Sequence, residues 1–135
     1  MEPKTLVDTD VLSALMRKNP KALTRARTYL ADHPQLTISL VTRFEILRGL
    51  KAKQATTQLA AFDAFCAGNE VLPISDQIVV RAADIYADLH ARGQLVADAD
   101  ILIAATAQES GLVLATNNVA DFRRMPGLQI DNWLA

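Results

Sequence analysis

The feature that most limits what this chain can fold into is an alternation. Five short apolar runs, at residues 4–7, 36–39, 71–74, 112–115 and 128–130, are separated by stretches long enough to form helices. Helices are expected from about Asp10 to Arg17, Lys21 to Ala31, Leu40 to Leu50, Gln54 to Ala67, Asp76 to Arg92 and Asp98 to Ser110. The second stops where His33 precedes Pro34, because a residue before proline disfavours helical backbone. The third carries apolar side chains at 40, 41, 44, 46, 47 and 50, a pattern with one buried face, and Gly49 marks a break near its end. Ser75 is placed to cap the long fifth helix, while Gly68, Gly93 and Gly111 each follow a helical pattern as closing residues. Pro73 argues that the third strand is an edge or ends there. Asn117-Asn118 reads as a turn. Strands alternating with helices over short connections specify an α/β fold with a parallel sheet between helices. Strand order is not legible in such a pattern.

At 135 residues the chain is read as a single domain, 1–135, large enough to bury a real core. Half its residues are apolar but only 5% are aromatic, so the core is expected to be built mainly from Leu, Ile, Val and Ala. The net charge of −1 gives no global attraction for nucleic acid, and any such binding has to be local or metal-mediated. A lone Cys66 excludes an intrachain disulfide framework and fits a reducing cytoplasm. No basic-then-apolar leader is present, nor any apolar run near the roughly 18 residues of a membrane span. The expectation is a soluble, cytoplasmic protein that does not enter membranes.

Three acids stand where an acid needs explaining. Asp8 ends the run Thr5-Leu6-Val7, Glu45 interrupts an apolar helical pattern, and Asp100 opens Asp98-Ala99-Asp100-Ile101-Leu102-Ile103-Ala104-Ala105. Ligands of α/β proteins collect outside the carboxyl ends of parallel strands, where Asp8 and Asp100 belong. Carboxylates gathered in a partly dry cleft repel and call for a cation between them, and oxygen-only ligands select a hard ion such as Mg²⁺ or Mn²⁺. Each acid also has a plainer reading. Asp8-Thr9-Asp10 suits a helix N-terminus, and one of Asp98 and Asp100 is expected to be only a cap. Thr42-Arg43-Phe44-Glu45 matches a capping box, unless Ser39 starts that helix and leaves Glu45 in its second turn beside the apolar face. His33 and His90 offer no rival chemistry. Cys66 reads as a small buried helix residue, and no phosphate loop, nucleophile elbow or zinc spacing occurs.

Taken in order, Leu6-Val7-Asp8-Thr9-Asp10-Val11-Leu12, Ile38-Ser39-Leu40-Val41-Thr42-Arg43-Phe44-Glu45-Ile46-Leu47-Arg48-Gly49-Leu50 and the Asp98–Ala105 stretch resemble the PIN-domain ribonucleases. The tail from Gly111 through Thr116, Asn118, Asp121-Phe122, Pro126-Gly127 and Trp133 looks specifically like the VapC toxins of bacterial toxin–antitoxin pairs. The resemblance covers nearly the whole chain. It implies a PIN-like three-layer α/β/α sandwich with a mainly parallel central sheet. It also implies a Mg²⁺- or Mn²⁺-dependent endoribonuclease acting on structured RNA, tRNA among the candidates, and leaving 5′-phosphates. Motif by motif it makes Asp8, Glu45 and Asp100 catalytic, with Asp8 and Asp100 as metal ligands and Asp98 as an accessory. Where many relatives carry a fourth acid this chain has Asn118, with Thr116 before it and Asp121 after it. Asp10 stands where relatives often have Asn. The implied partners are a VapB-type antitoxin and a second copy of the chain, as a homodimer.

RNA contacts are expected from Arg43, Arg48, Lys51 and Lys53 after the middle motif and from Arg123 and Arg124 near the late one, although any one of them can be an ordinary solvated charge. Two other functions compete. The Asp8-Thr9-Asp10 motif after a strand also resembles haloacid-dehalogenase-type phosphatases, which need a later lysine, and no lysine follows Gly68. The remaining alternative is a non-catalytic module that only binds a partner.

Overall fold

The computed structural model describes residues 1–135. The elements run β1 (Thr5–Val7), α1 (Thr9–Met16), α2 (Pro20–Asp32), β2 (Thr37–Ser39), α3 (Leu40–Ala52), α4 (Thr56–Gly68), β3 (Glu70–Leu72), α5 (Asp76–Ala91), α6 (Asp98–Glu109), β4 (Val113–Ala115), α7 (Val119–Phe122) and β5 (Ile130–Asp131). The five strands form one sheet in the order β3-β2-β1-β4-β5, and every pairing is parallel rather than mainly so.

Alternation of side chains along each strand divides the core into two layers. Leu6 and Leu114 face a cluster made with Ile78, Ala82 and Leu89 of α5 and Ile101, Ile103, Ala104 and Ala105 of α6. Their neighbours Val7 and Ala115 face the opposite cluster, with Val11 and Leu12 of α1, Ala26 and Tyr29 of α2, Ile46 of α3, Phe62 of α4 and Trp133. Helix α3 contributes Val41 to the first cluster and Ile46 to the second, so it joins both layers of the core. No helix is long and apolar enough to cross a membrane.

Local chemistry explains most element ends. Asp8, Asn19, Ser39 and Ser75 each accept a backbone N–H from the helix they precede. His33 is extended, and α2 stops before it. Gly93 and Gly111 take the left-handed conformation that ends α5 and α6, with φ of 65° and 67°. Three expectations are corrected, and one element is added. Gly49 breaks nothing: it lies inside α3, which continues to Ala52. Gly68 is the last residue of α4, and the extended Asn69 closes it. The third strand spans 70–72, ending before Pro73. A short helix, α7, follows the Asn117-Asn118 turn, too brief to leave a helical period in the sequence. Helices α1 and α3 end without glycine, through Lys18 and Gln54 at positive φ (60° and 54°).

Candidate active site

Because β1 connects to β2 and β3 on one side while β4 and β5 lie on the other, the strand order reverses between β1 and β4. The carboxyl ends of those two strands flank the crevice where α/β proteins place ligands. Asp8 follows β1 there, and Thr116 follows β4. Asp8 caps α1, its Oδ1 accepting the Val11 N–H at 2.8 Å, so its capping and its place in the crevice are one geometry. It is only 3% exposed. Burial is the main force lifting its pKa from 3.8 to about 7; hydrogen bonds from Thr116 and Val11 pull the other way, and the charges of Asp10 and Asp100 push further up.

Asp100 approaches from the first turn of α6. Its pKa is raised from 3.8 to about 6, chiefly by burial and then by the charges of Glu45, Asp121 and Asp10. Neither Asp98 nor Asp100 makes a side-chain cap on α6, which starts from Ala97 with no such bond, so the expectation that one of them is a cap fails. Asp98 is exposed on the first turn, as is Asp10 on α1.

Glu45 lies in the second turn of α3. Ser39 caps that helix, accepting the Thr42 N–H at 3.0 Å, which removes the capping-box reading. The Thr9 hydroxyl donates to Glu45 Oε1 at 2.7 Å and lies 3.0 Å from the Thr42 hydroxyl. In the sequence Thr9 reads only as a good helix-start residue. Its sole signal was adjacency to Asp8.

The late motif is also rearranged. Asn118 is not where the fourth charge sits. Its N–H donates to Thr116 Oγ1 at 2.9 Å, and its side-chain amide donates to Asp121 Oδ2 at 3.0 Å. Asp121, one turn further on, adds its charge to the field at Asp100, and the exposed Asp10 of α1 adds its own at Asp100 and at Asp8. The buried and half-buried acids therefore arrive from β1, α3, α6 and α7. No three Asp, Glu, His or Cys side chains are drawn together as tightly as a bound ion would draw them; the acids share a field, not a chelate.

The basic residues divide. Arg48 pairs with Glu45 Oε2 at 3.5 Å and Arg124 with Asp121 at 3.9 Å, so two residues expected to meet RNA instead face acids of the site. No such partner reaches Asp8 or Asp100: each ion pair of the molecule joins other acids. Arg43 points away, because residues two apart on a helix are turned by roughly 200°; it reaches Asp63 at 3.5 Å and covers the Phe62 ring on α4. Lys51 and Arg123 are exposed. Lys53 lines a groove of about 350 Å³ beside Thr9, Arg17 and Glu45.

The family described as PIN domain matches residues 5–128. The tRNA(fMet)-specific endonuclease VapC of Salmonella typhimurium is 31% identical over 131 residues, 96% of this chain and 98% of that protein. Among solved structures, DNA-bound VapBC from Salmonella typhimurium superposes with a TM-score of 0.84 at 30% identity, covering 98% of this chain and 99% of that one. VapBC-1 from nontypeable Haemophilus influenzae gives a TM-score of 0.86 at 26% identity over 97% of this chain and 98% of that one.

Proposed function

This chain belongs to the PIN-domain family, and from that premise we propose that it is a VapC-type endoribonuclease, the toxin of a VapBC toxin–antitoxin pair. The observation that carries this reading is the convergence of Asp8, Glu45, Asp100 and Asp121 from four elements upon one crevice, where Asp8 and Asp100 are pushed toward neutral pH. Such carboxylates fit a hard divalent cation: the donors are all oxygen, two have no protein cation, and their mutual repulsion is released when one binds. Asp8 and Asp100 would hold Mg²⁺ or Mn²⁺, with Asp121 and Glu45 nearby. When bound, the ion offsets charge on the phosphoryl oxygens and acidifies water.

The chain's own groups do the rest. Thr116 and the Val11 N–H fix the Asp8 carboxylate. Glu45, with a side chain 18% exposed, is reached by solvent and orients the attacking water. Because water attacks, the RNA 2′-OH is not consumed; with the 3′-oxygen as leaving group, as in the family, the P–O3′ bond breaks and cleavage leaves a 3′-hydroxyl and a 5′-phosphate. The phosphate backbone meets Lys51, Lys53 and Arg123, with Arg48 and Arg124 released from their acids to join them. Structured RNA is the substrate class, and tRNA is the first candidate given the name of the Salmonella relative. The protein works in the cytoplasm, where a reduced Cys66 persists, as a homodimer neutralised by a VapB-type antitoxin.

The test is cleavage of a tRNA pool with Mg²⁺, Mn²⁺ or EDTA, alongside p-nitrophenyl phosphate. Metal-dependent cleavage with 5′-monophosphate ends, lost in Asp8→Asn and Asp100→Asn, is expected. Full activity in either variant, or phosphatase turnover instead, overturns the assignment.

A further inference from the structure

Glu45 needs something to aim it, and we infer that Thr9 does so: its hydroxyl is the positioning group that holds the Glu45 carboxylate toward Asp100 and against the outward pull of Arg48. This rests on the endoribonuclease reading of the same site. The two oxygens of Glu45 are claimed by different partners. Oε1 accepts from Thr9 at 2.7 Å, inside the crevice, while Oε2 faces Arg48 Nη2 at 3.5 Å, on a side chain 61% exposed. An exposed pair of that kind is weak and leaves the acid free to swing toward solvent. Thr9 is less free. It is the first residue of α1, adjacent to Asp8, and its branched side chain has few rotamers. The turn that delivers Asp8 to the crevice therefore delivers the hydroxyl as well.

Proton counting makes the arrangement directional. Each hydroxyl has one proton to give. Thr9 gives its own to Glu45, so the 3.0 Å contact with Thr42 must be donated by Thr42. Thr42 then accepts from Ser39, whose oxygen lies 3.3 Å away and itself accepts the Thr42 N–H at 3.0 Å. The result is a one-way relay, Ser39 to Thr42 to Thr9 to Glu45, in which each donor polarises the next. Ser39 and Thr42 are fully buried, so the relay is fixed at one end by the cap of α3 and presents its last proton to the carboxylate. Glu45 is thereby held by two strand–helix junctions at once, after β1 and after β2.

Thr9→Val removes the proton and keeps the shape; Thr9→Ser keeps the proton. With RNA as substrate, Thr9→Val is expected to lower kcat by about tenfold or more while KM changes little, the signature of a misaimed group rather than lost binding. Thr9→Ser should recover most of the rate. Combining Thr9→Val with Glu45→Gln should add nothing to the loss from Glu45→Gln alone. In a crystal structure of Thr9→Val, Glu45 should turn to Arg48. A Thr9→Val protein with wild-type kcat and an unmoved Glu45 overturns the role, as does equal loss in the Ser and Val variants. If Thr9→Val does not fold, Thr42→Val carries the same test, since it removes the relay's middle proton; unchanged kcat and an unmoved Glu45 overturn the relay. Failure of the wild-type protein to cleave RNA would strike the nuclease reading, while the Glu45 rotamer would still decide the positioning.

Discussion

Asp8 pays the highest desolvation cost at this site, and its charge state links the site to the stability of the molecule. Its pKa is about 7 in the folded protein against 3.8 for the free group, and that of Asp100 is about 6 against 3.8. A raised pKa means the folded state holds a proton that the unfolded state has already released. Between about pH 4 and pH 7 the folded state therefore binds more protons, and its stability falls as pH rises. The metal-free protein should melt at a higher temperature at pH 5 than at pH 7.5, and Mn²⁺ should raise the melting temperature most at the higher pH. Asp8→Asn tests this cleanly, since Asn caps a helix about as well as Asp. It should match or exceed the wild type at pH 7.5 without metal and flatten the pH slope. A clear loss of stability in Asp8→Asn would mean that capping, rather than charge, is what Asp8 chiefly contributes.

At the scale of elements, α3 shows how a cap decides function. Thr42 and Glu45 have the spacing of a capping box, yet Ser39 begins the helix and Thr42 becomes its third residue. One shift of three residues converts Glu45 from a helix-end accessory into a side chain facing the crevice. Ser39→Ala should then cost about 1 kcal/mol in urea unfolding, since it removes the oxygen that accepts the Thr42 N–H. Thr42→Val should cost less, because the cap itself survives. The reverse order in paired urea titrations would restore Thr42 as the cap.

On the scale of the molecule, the reversal of strand order between β1 and β4 gathers residues that lie more than a hundred positions apart, Asp8 and Thr116 among them. The groove beside Thr9 and Glu45 shares Met16 and Gln58 with a mostly apolar one lined also by Ala61, Phe62 and Phe65. On the proposed reading, an antitoxin segment that neutralises this chain would carry an apolar face for the groove and a cationic tip for the acids. Expression of this chain alone should arrest growth, and co-expression of the adjacent small gene should relieve it. A harmless chain that cleaves no RNA would favour a binding module instead.

What the sequence determined by itself is local. Periods of two and of three to four residues, with capping and turn chemistry, act over neighbouring positions, so the strand–helix alternation, the parallel sheet and most helix starts could be read from it. The motifs around Asp8, Glu45 and Asp100 were legible for the same reason, each being a short run with its acid at a recognisable place. Tertiary structure alone decided the strand order, and with it which motifs meet. It also brought the charge of Asp121 to bear on Asp100, turned Arg43 to α4 and set Arg48 and Arg124 beside acids. Thr9 and Glu45, 36 residues apart, share a hydrogen bond that no pattern in the chain announces. Burial does the rest: the pKa values of Asp8 and Asp100 depend on how much water and how many other charges the packed helices leave around them, and those quantities exist only once distant segments are in contact.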